Sequence, residues 1–492
     1  MKVFRITDSE QGDAPVGAGI ETRPKLLALS ASVLMDRIYL HTDLLATLDV
    51  ELDVTVWTQS AANPRYRNLW DSTPATVSPL PVVSPSPTFP DVFLRRINDF
   101  AWQHRIPSLS RESFTRLVRR EQWHSWVLAA EALGWCVART HANQAFERYA
   151  ARVLRGRDRC PEARAWLEQH RPDAVLTTGP FQFNEPAIVG LAQARGIPAI
   201  ALIPSWDNIS TKHRLVFDYD AYLVWSKATR EELWHFYPAT RDKPVEIVGA
   251  PQFDVFFDPG FQISRQEFAS LHGLDPDRPI LLYAIGSPNF LQGEPEGARQ
   301  FAERVRRGQL GDAQLIVRPH PLHDRGELQA IFRDFEGPIV VQRPAGDGSP
   351  LPRTQDRSQI VQWVNTLRHA NVVINLSSTI AVEAALLDRP IVNLDFDPRE
   401  GAPQGQLIEE INHRWNHFRP IAESGGLWLA RTMDEVVDAV KSYLADPTQH
   451  QESRRWIAEH VAGPSDGHSG RRMGKTIRSL VHALTRRGAR QA

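Results

Sequence analysis

The chain has 492 residues, more than a single hydrophobic core usually organises, so two large domains, or two with an insertion, are expected. An apolar share of 42% is ordinary for a soluble globular protein, and a net charge of −1 gives no global basis for binding nucleic acid. The two cysteines, Cys136 and Cys160, form no CxxC spacing, which excludes a disulfide framework and a cysteine-built metal site and fits a reducing compartment.

Residues 1–24 read as a polar lead-in without the apolar run of a secretory signal, and nowhere does an apolar stretch approach the ~20 residues of a membrane span. The expectation is a cytoplasmic protein. "KLLALS" (25–30) reads as a buried strand, "IYLHTDLLATLD" (38–49) has helical spacing, and "ELDVTVWTQ" (51–59) is a second strand. This β-α-β order implies parallel neighbours joined by a right-handed crossover. "PLPVVSPSPTFP" (79–90) is punctuation. From 91 to 170 the pattern is helical, with 14 Arg and no Lys against 9 Asp plus Glu, and Trp102, Trp123, Trp126 and Trp135 interleaved. We read it as a helical insertion.

Strands resume at 173–178, 197–204, 221–226 and 245–250, and the first domain is expected to run over 1–257, ending before the "DPG" turn. A second series, within 276–462, has strands at 279–286, 313–320, 338–343, 371–375 and 390–395. Near-continuous Val/Ile/Leu strands mark parallel sheets covered on both faces. Two such series predict two Rossmann-like, doubly wound α/β domains facing each other across a cleft. The remaining residues, 463–492, form a basic helix in which Met473, Ile477, Leu480, Val481 and Leu484 share one face.

Ligands of open α/β sheets lie at the carboxyl ends of strands. In "INLSSTIAVEAALLDRPIVNLDFD" (374–397) a strand stops at Ser377, Ser378 and Thr379, and a helix begins. The first N–H groups of a helix lack internal partners and sit at the positive end of its dipole, which suits phosphate. Glu383 lies one turn beyond Thr379 on the same face, placed to accept a ribose diol. The plainer reading is a Ser/Thr cap and an exposed Glu. Arg318 and His320, in "VRPHPLHD", end another strand of the same domain and are candidate phosphate or base contacts. In domain one, Trp206, Asp207, Asn208 and Lys212 crowd a strand end that could hold the acceptor, or simply turn the chain and pack at the domain interface. Asp36 and His41 follow the first strand, where a base would reach an acceptor hydroxyl. Asp254 reads as an N-cap and 463–472 as a turn. The Asp218–Asp220 and Asp395–Asp397 triplets read as structural loops, or for the second as sugar-hydroxyl contacts, rather than as a metal site.

With these residues in hand, the chain resembles GT-B-fold glycosyltransferases. "LLYAIGSP", "IVRPHP" and the 374–397 stretch are similar to the nucleotide-binding half of bacterial surface-polysaccharide transferases and of CDP-glycerol glycerophosphotransferases, and more distantly to UDP-N-acetylglucosamine 2-epimerases. "GPSDGHSGRR" is similar to the turn before the last helix of the glycerophosphotransferase group. The resemblance implies that Ser377, Ser378 and Thr379 bind a diphosphate, that Glu383 binds ribose, and that Arg318 and His320 contact phosphate or base. Two departures stand out: the epimerases carry Ser-Gly-Gly where this chain has Ser-Ser-Thr, and the glycerophosphotransferases carry His-Gly where this chain has His41-Thr42.

The expected activity is metal-independent transfer of a sugar from a nucleotide-sugar donor, with no further cofactor, to a carbohydrate or lipid-linked hydroxyl acceptor. The alternatives are polyol-phosphate transfer from a CDP-polyol and a non-catalytic nucleotide-binding scaffold. Peripheral contact with an anionic membrane, through the basic Trp-bearing segment or the terminal helix, is a further expectation; no nucleic-acid partner is expected.

Overall fold

The computed structural model describes residues 23–491 except 31, 84–88, 114–124, 141–142, 157–158, 182–183, 289–290, 292, 324, 336–337, 344–355 and 400–404. Trp123 and most of the lead-in therefore lie outside the described residues.

Two parallel sheets organise the chain. The first contains β1 (Lys25–Ser30), β2 (Asp53–Thr58), β3 (Thr76–Pro79), β4 (Ala174–Thr177), β5 (Ala199–Leu202), β6 (Ala221–Val224) and β7 (Val245–Ile247), in the order β3-β2-β1-β4-β5-β6-β7. The second contains β8 (Ile280–Ala284), β9 (Gln314–Arg318), β10 (Ile339–Val341), β11 (Val372–Asn375), β12 (Ile391–Leu394) and β13 (Trp428–Ala430), in the order β10-β9-β8-β11-β12-β13. Each order reverses once, between β1 and β4 and between β8 and β11. Those are the switch points where doubly wound sheets open a crevice for ligand.

Strand side chains alternate between faces, and both faces are filled. In β1, Leu27 and Leu29 enter one core while Leu26 and Ala28 enter another. In β8, Leu281 and Tyr283 face one core, and Ile280, Leu282 and Ala284 the other. This two-sided burial explains why the strands read as apolar runs rather than alternating ones. β3 and β13 escaped the sequence reading: β3 is a partly exposed edge strand that ends in Pro79, and β13 is three residues long. The helical stretch 38–49 is two helices, Val33–Leu40 and Leu44–Leu48, broken at His41–Asp43.

Between β3 and β4 the described residues form helices Phe89–Arg105, Ser125–Arg139, Asn143–Arg155 and Pro161–His170. Part of this segment reaches the second domain: Asn416 N–H donates to Ser110 Oγ at 2.8 Å.

The chain crosses back to domain one after helix Gln451–Ala462. Gly463 permits the crossing, because at φ 72° a Cβ there would lie 2.1 Å from the Trp225 carbonyl. The terminal helix Ser469–Gln491 then buries Met473, Ile477, Leu480 and Val481 in the core that also holds Leu26 and Ala28. Its apolar stripe is thus spent on domain one, which removes it as a membrane-facing stripe. Asp254 caps this helix rather than its own segment, accepting from Ser469 N–H (3.0 Å) and Gly470 N–H (2.7 Å). Among the described residues, no helix is long and apolar enough to cross a membrane.

Candidate functional site at the switch point of the second sheet

The loop after β11 meets the loop after β8: a Cβ on Gly286 would stand 3.8 Å from the Leu376 carbonyl oxygen. Ser377 adopts φ 41°, a left-handed conformation that a serine holds only when its surroundings fix it. They do so through three asparagines. Ser377 N–H donates to Asn393 Oδ1 (2.7 Å) and its hydroxyl to Asn412 Oδ1 (2.6 Å). Ser378 N–H reaches Asn375 Oδ1 at 3.4 Å. Asn375 and Asn393 are register partners on β11 and β12, and all three asparagines are fully buried.

These contacts correct the expectation that the N–H groups at this turn are free for phosphate. Asparagine side-chain oxygens accept from two of the N–H groups, those of Ser377 and Ser378, and Ser378 Oγ accepts from Ile380 N–H at 3.3 Å. Ser378 is the N-cap of helix Thr379–Leu386. Thr379 N–H has no protein acceptor among the described residues. The turn therefore offers one backbone donor and nearby hydroxyls, and Ser377 acts as a pin of the loop.

Glu383 is buried, contrary to the plain reading of an exposed Glu. Trp363, on helix Arg357–His369, donates Nε1–H to Glu383 Oε2 at 2.9 Å. Burial pushes the Glu383 carboxyl above its ordinary range, against the pull of Trp363 and of two cations, Arg37 and Arg318. Arg318, at the end of β9, donates to Gln342 Oε1 at 2.9 Å, and Gln342 in turn donates to Thr366 Oγ1 at 2.8 Å. That chain fixes the direction of the guanidinium. Arg37 comes from domain one, with its Cζ 4.9 Å from the Trp363 ring centroid. Burial lowers both guanidiniums to about 10, so both stay charged at neutral pH.

His320 accepts from Leu322 N–H at Nδ1 (3.2 Å), which fixes its ring within the loop. The neighbouring His323, absent from the sequence reading, is the buried one, with Nε2 3.0 Å from the Gly286 carbonyl.

The domain-one candidates do not converge on one point. Asp36 is buried: Ser30 Oγ–H (2.8 Å) and Thr58 Oγ1–H (2.7 Å) donate to its Oδ1. Burial raises it to about 6 despite the Ser60, Thr58 and Ser30 hydroxyls. This is the position of a structural acceptor, not of a base open to substrate. His41 caps helix Val33–Leu40 and sets its ring edge-on to Phe261, centroids 5.6 Å apart.

Trp206 packs at the domain interface, edge-on to His417 at 4.9 Å. Asn208 Nδ2–H donates to Asp207 Oδ1 at 3.1 Å, so these two brace their own turn. Lys212 is exposed, and its carbonyl accepts from Arg111. Trp206 also lines a cavity of about 290 Å³ with Glu232, Asn416 and His417. Three of the four triplet carboxylates are occupied within the fold: Asp220 accepts from Ala199 N–H (2.8 Å), Asp395 faces His413 (2.9 Å), and Asp397 pairs with Arg399 (3.0 Å), while Asp218 is exposed. No group of metal-ligating side chains occurs among the described residues.

Sequence reasoning missed Arg37, Trp363, Asn375, Asn393 and Asn412. The two strand asparagines left a signal, since each interrupts an apolar strand at its carboxyl end. Arg37 and Trp363 left none, because their roles arise from packing between segments far apart in sequence.

No protein-family profile matches the chain, and no curated protein matches its sequence. Solved structures do match in shape. They include Staphylococcus aureus MnaA in complex with UDP, at 12% identity and TM-score 0.53, with 93% of this chain and 97% of that one covered. A UDP-GlcNAc 2-epimerase from Neisseria meningitidis bound to UDP-GlcNAc gives 11% identity and TM-score 0.52, covering 92% and 99%. The UDP-GlcNAc 2-epimerase of Methanocaldococcus jannaschii gives 12% and 0.51, covering 92% and 99%. At such identities the likeness shows fold alone. With its two parallel-sheet domains and returning terminal helix, the chain has a GT-B glycosyltransferase-like fold.

Proposed function

We propose that the chain transfers a sugar from a nucleotide-activated donor to a hydroxyl acceptor, with the donor held at the β8/β11 switch point. One observation carries this reading. Two half-buried guanidiniums, Arg37 from one domain and Arg318 from the other, both act electrostatically on one buried carboxylate, Glu383. Among the described residues, Glu383 is the one anion that acts on either cation. A surplus cation partly removed from water is costly unless an anion answers it, and a nucleoside diphosphate is such an anion. Glu383 Oε2 already accepts from Trp363, which leaves Oε1 for a ribose hydroxyl.

In this reading the acceptor oxygen attacks the anomeric carbon as the bond to the diphosphate breaks, and the acceptor proton passes to a base or to water. The charge that develops on the leaving diphosphate is stabilised by Arg318, by Arg37 and by the helix start at Thr379. Because Arg37 belongs to domain one, the stabilising set is complete only when the domains are together, an arrangement that also excludes water as a competing acceptor. Ser-Ser-Thr in place of the epimerase Ser-Gly-Gly favours transfer over epimerisation.

The test is thermal stabilisation by UDP, GDP, dTDP, CDP, CMP and ADP, repeated with Arg37→Ala, Arg318→Ala and Glu383→Gln. The expected result is a shift for one nucleotide that the Arg318 and Glu383 variants abolish and the Arg37 variant weakens. A preference for CDP or CMP would move the assignment to polyol-phosphate transfer. Epimerisation of a UDP-sugar without acceptor would replace transfer. Binding with no donor consumption in the presence of acceptor would leave a scaffold, and no shift with any nucleotide would remove the proposal.

A further inference from the structure

Among the described residues, the large apolar side chains that stand well exposed are concentrated in one region: seven of eleven lie between residues 82 and 149. Three of them, Leu128, Leu133 and Trp135, lie on helix Ser125–Arg139. This helix packs inward through Ala130 and Gly134, and it does so closely, since a Cβ on Gly134 would lie 2.6 Å from Phe100 Cβ and 2.9 Å from the Ala101 nitrogen. At 100° per residue, the opposite arc then carries Leu128, Ala129, Ala132, Leu133, Trp135 and Cys136, all exposed. Water-facing helix surfaces are normally polar; this arc holds no charge until Arg139, whose guanidinium lies 3.7 Å from the Trp135 ring centroid, while the half-exposed Glu131 borders its other edge.

Cations border the apolar arc. Arg139 leads into helix Asn143–Arg155, where Arg148, Tyr149 and Arg152 are exposed. Among the described residues, Arg139, Arg148 and Arg152 have no carboxylate partner, whereas Arg105 and Arg159 are paired with Glu147 and Asp91. We propose that the Leu128–Cys136 face docks on an anionic lipid bilayer, its leucines entering the acyl boundary, Trp135 and Tyr149 sitting at headgroup level, and the three unpaired arginines meeting the phosphates. An apolar arc rimmed by cations, with a Trp and a Tyr at the edge, is the complement of an anionic interface. A purely apolar protein partner would not select the cationic rim. The inference does not depend on the nucleotide reading, and it moves membrane contact from the terminal helix, whose apolar stripe is buried, to this helix pair.

The full chain is sedimented with phosphatidylcholine vesicles, with or without phosphatidylserine. Binding is expected only with phosphatidylserine, and it should weaken from about 0.1 M to about 0.5 M salt. Leu133→Asp/Trp135→Asp and Arg139→Glu/Arg148→Glu/Arg152→Glu should each lower partitioning by about tenfold or more. Leu271→Asp, at another exposed leucine, should bind like the parent chain. A second measurement needs no substitution: Cys136 is exposed while Cys160 is buried, so a polarity-sensitive thiol probe reports from this face alone. Its emission should shift to the blue with phosphatidylserine vesicles. The proposal is overturned by absence of binding, by full binding of the Leu133/Trp135 variant, by an unchanged probe spectrum, or by a self-associated chain that Leu133→Asp dissociates and that ignores vesicles.

Discussion

Glu294 gives a sharp test of how the loop after β8 is held. It is the first residue of helix Glu294–Arg306 and is fully buried. Its Oε2 accepts from Gly286 N–H at 2.9 Å, immediately beyond β8. Its Oε1 has no partner among the described residues. A helix N-terminus favours a carboxylate, but here desolvation dominates: burial, with the nearby Asp397 charge adding to it, raises the group from 4.5 to about 8, and Gly286 N–H only partly offsets this. At neutral pH it is mostly protonated. A carboxyl whose folded pKa lies above its unfolded value binds its proton more tightly in the fold, so its contribution is complete below about pH 4.5 and is lost as pH rises through about 8. Moving a carboxyl over that range is worth about 5 kcal/mol, against a total stability on the order of 10 kcal/mol. Glu294→Gln keeps an acceptor for Gly286 and cannot ionise. In urea denaturation, it should unfold within about 1 kcal/mol of the parent at pH ~5 and be several kcal/mol more stable at pH ~8.5. Asp36 and Glu232, raised by burial to about 6 and about 7, slope the same way, so only the difference between the two chains isolates Glu294. Parallel pH curves for parent and variant would refute the assignment of the slope to this group.

Two further substitutions probe the supports of the site. Asn393→Ala strips the acceptor from Ser377 N–H and frees a loop held at positive φ; a loss of about 1–3 kcal/mol in chemical denaturation is expected, together with a smaller nucleotide-induced thermal shift. Asp254→Ala removes the cap from the terminal helix, and about 1–2 kcal/mol should be lost, with limited proteolysis now cutting near residue 463.

What the sequence displayed and what it hid divide along physical lines. Both parallel sheets were legible because strands such as "LIVR" and "VVIN" are covered on both faces, so burial erased their alternation and left apolar runs. The edge strand "TVSP" is partly exposed and carries no apolar run, and "WLA" is only three residues long. The switch-point turn was visible for the same reason as the strands: its hydroxyls interrupt an apolar pattern. Its chemistry was misjudged because free helix-start donors are a property of an isolated helix, whereas Asn375 and Asn393 lie one sheet register apart and reach into the turn. Spacing along the chain also suggested Thr379 and Glu383 as an open grip, yet Glu383 is buried and bonded by Trp363, whose ring in turn faces a guanidinium from the other domain. Those contacts depend on the angle at which two domains meet, which no local pattern encodes. The same dependence has a functional consequence: if Arg37 supplies half of the surplus positive charge, the anion site strengthens as the domains approach, and ligand binding and domain closure draw on one interaction energy.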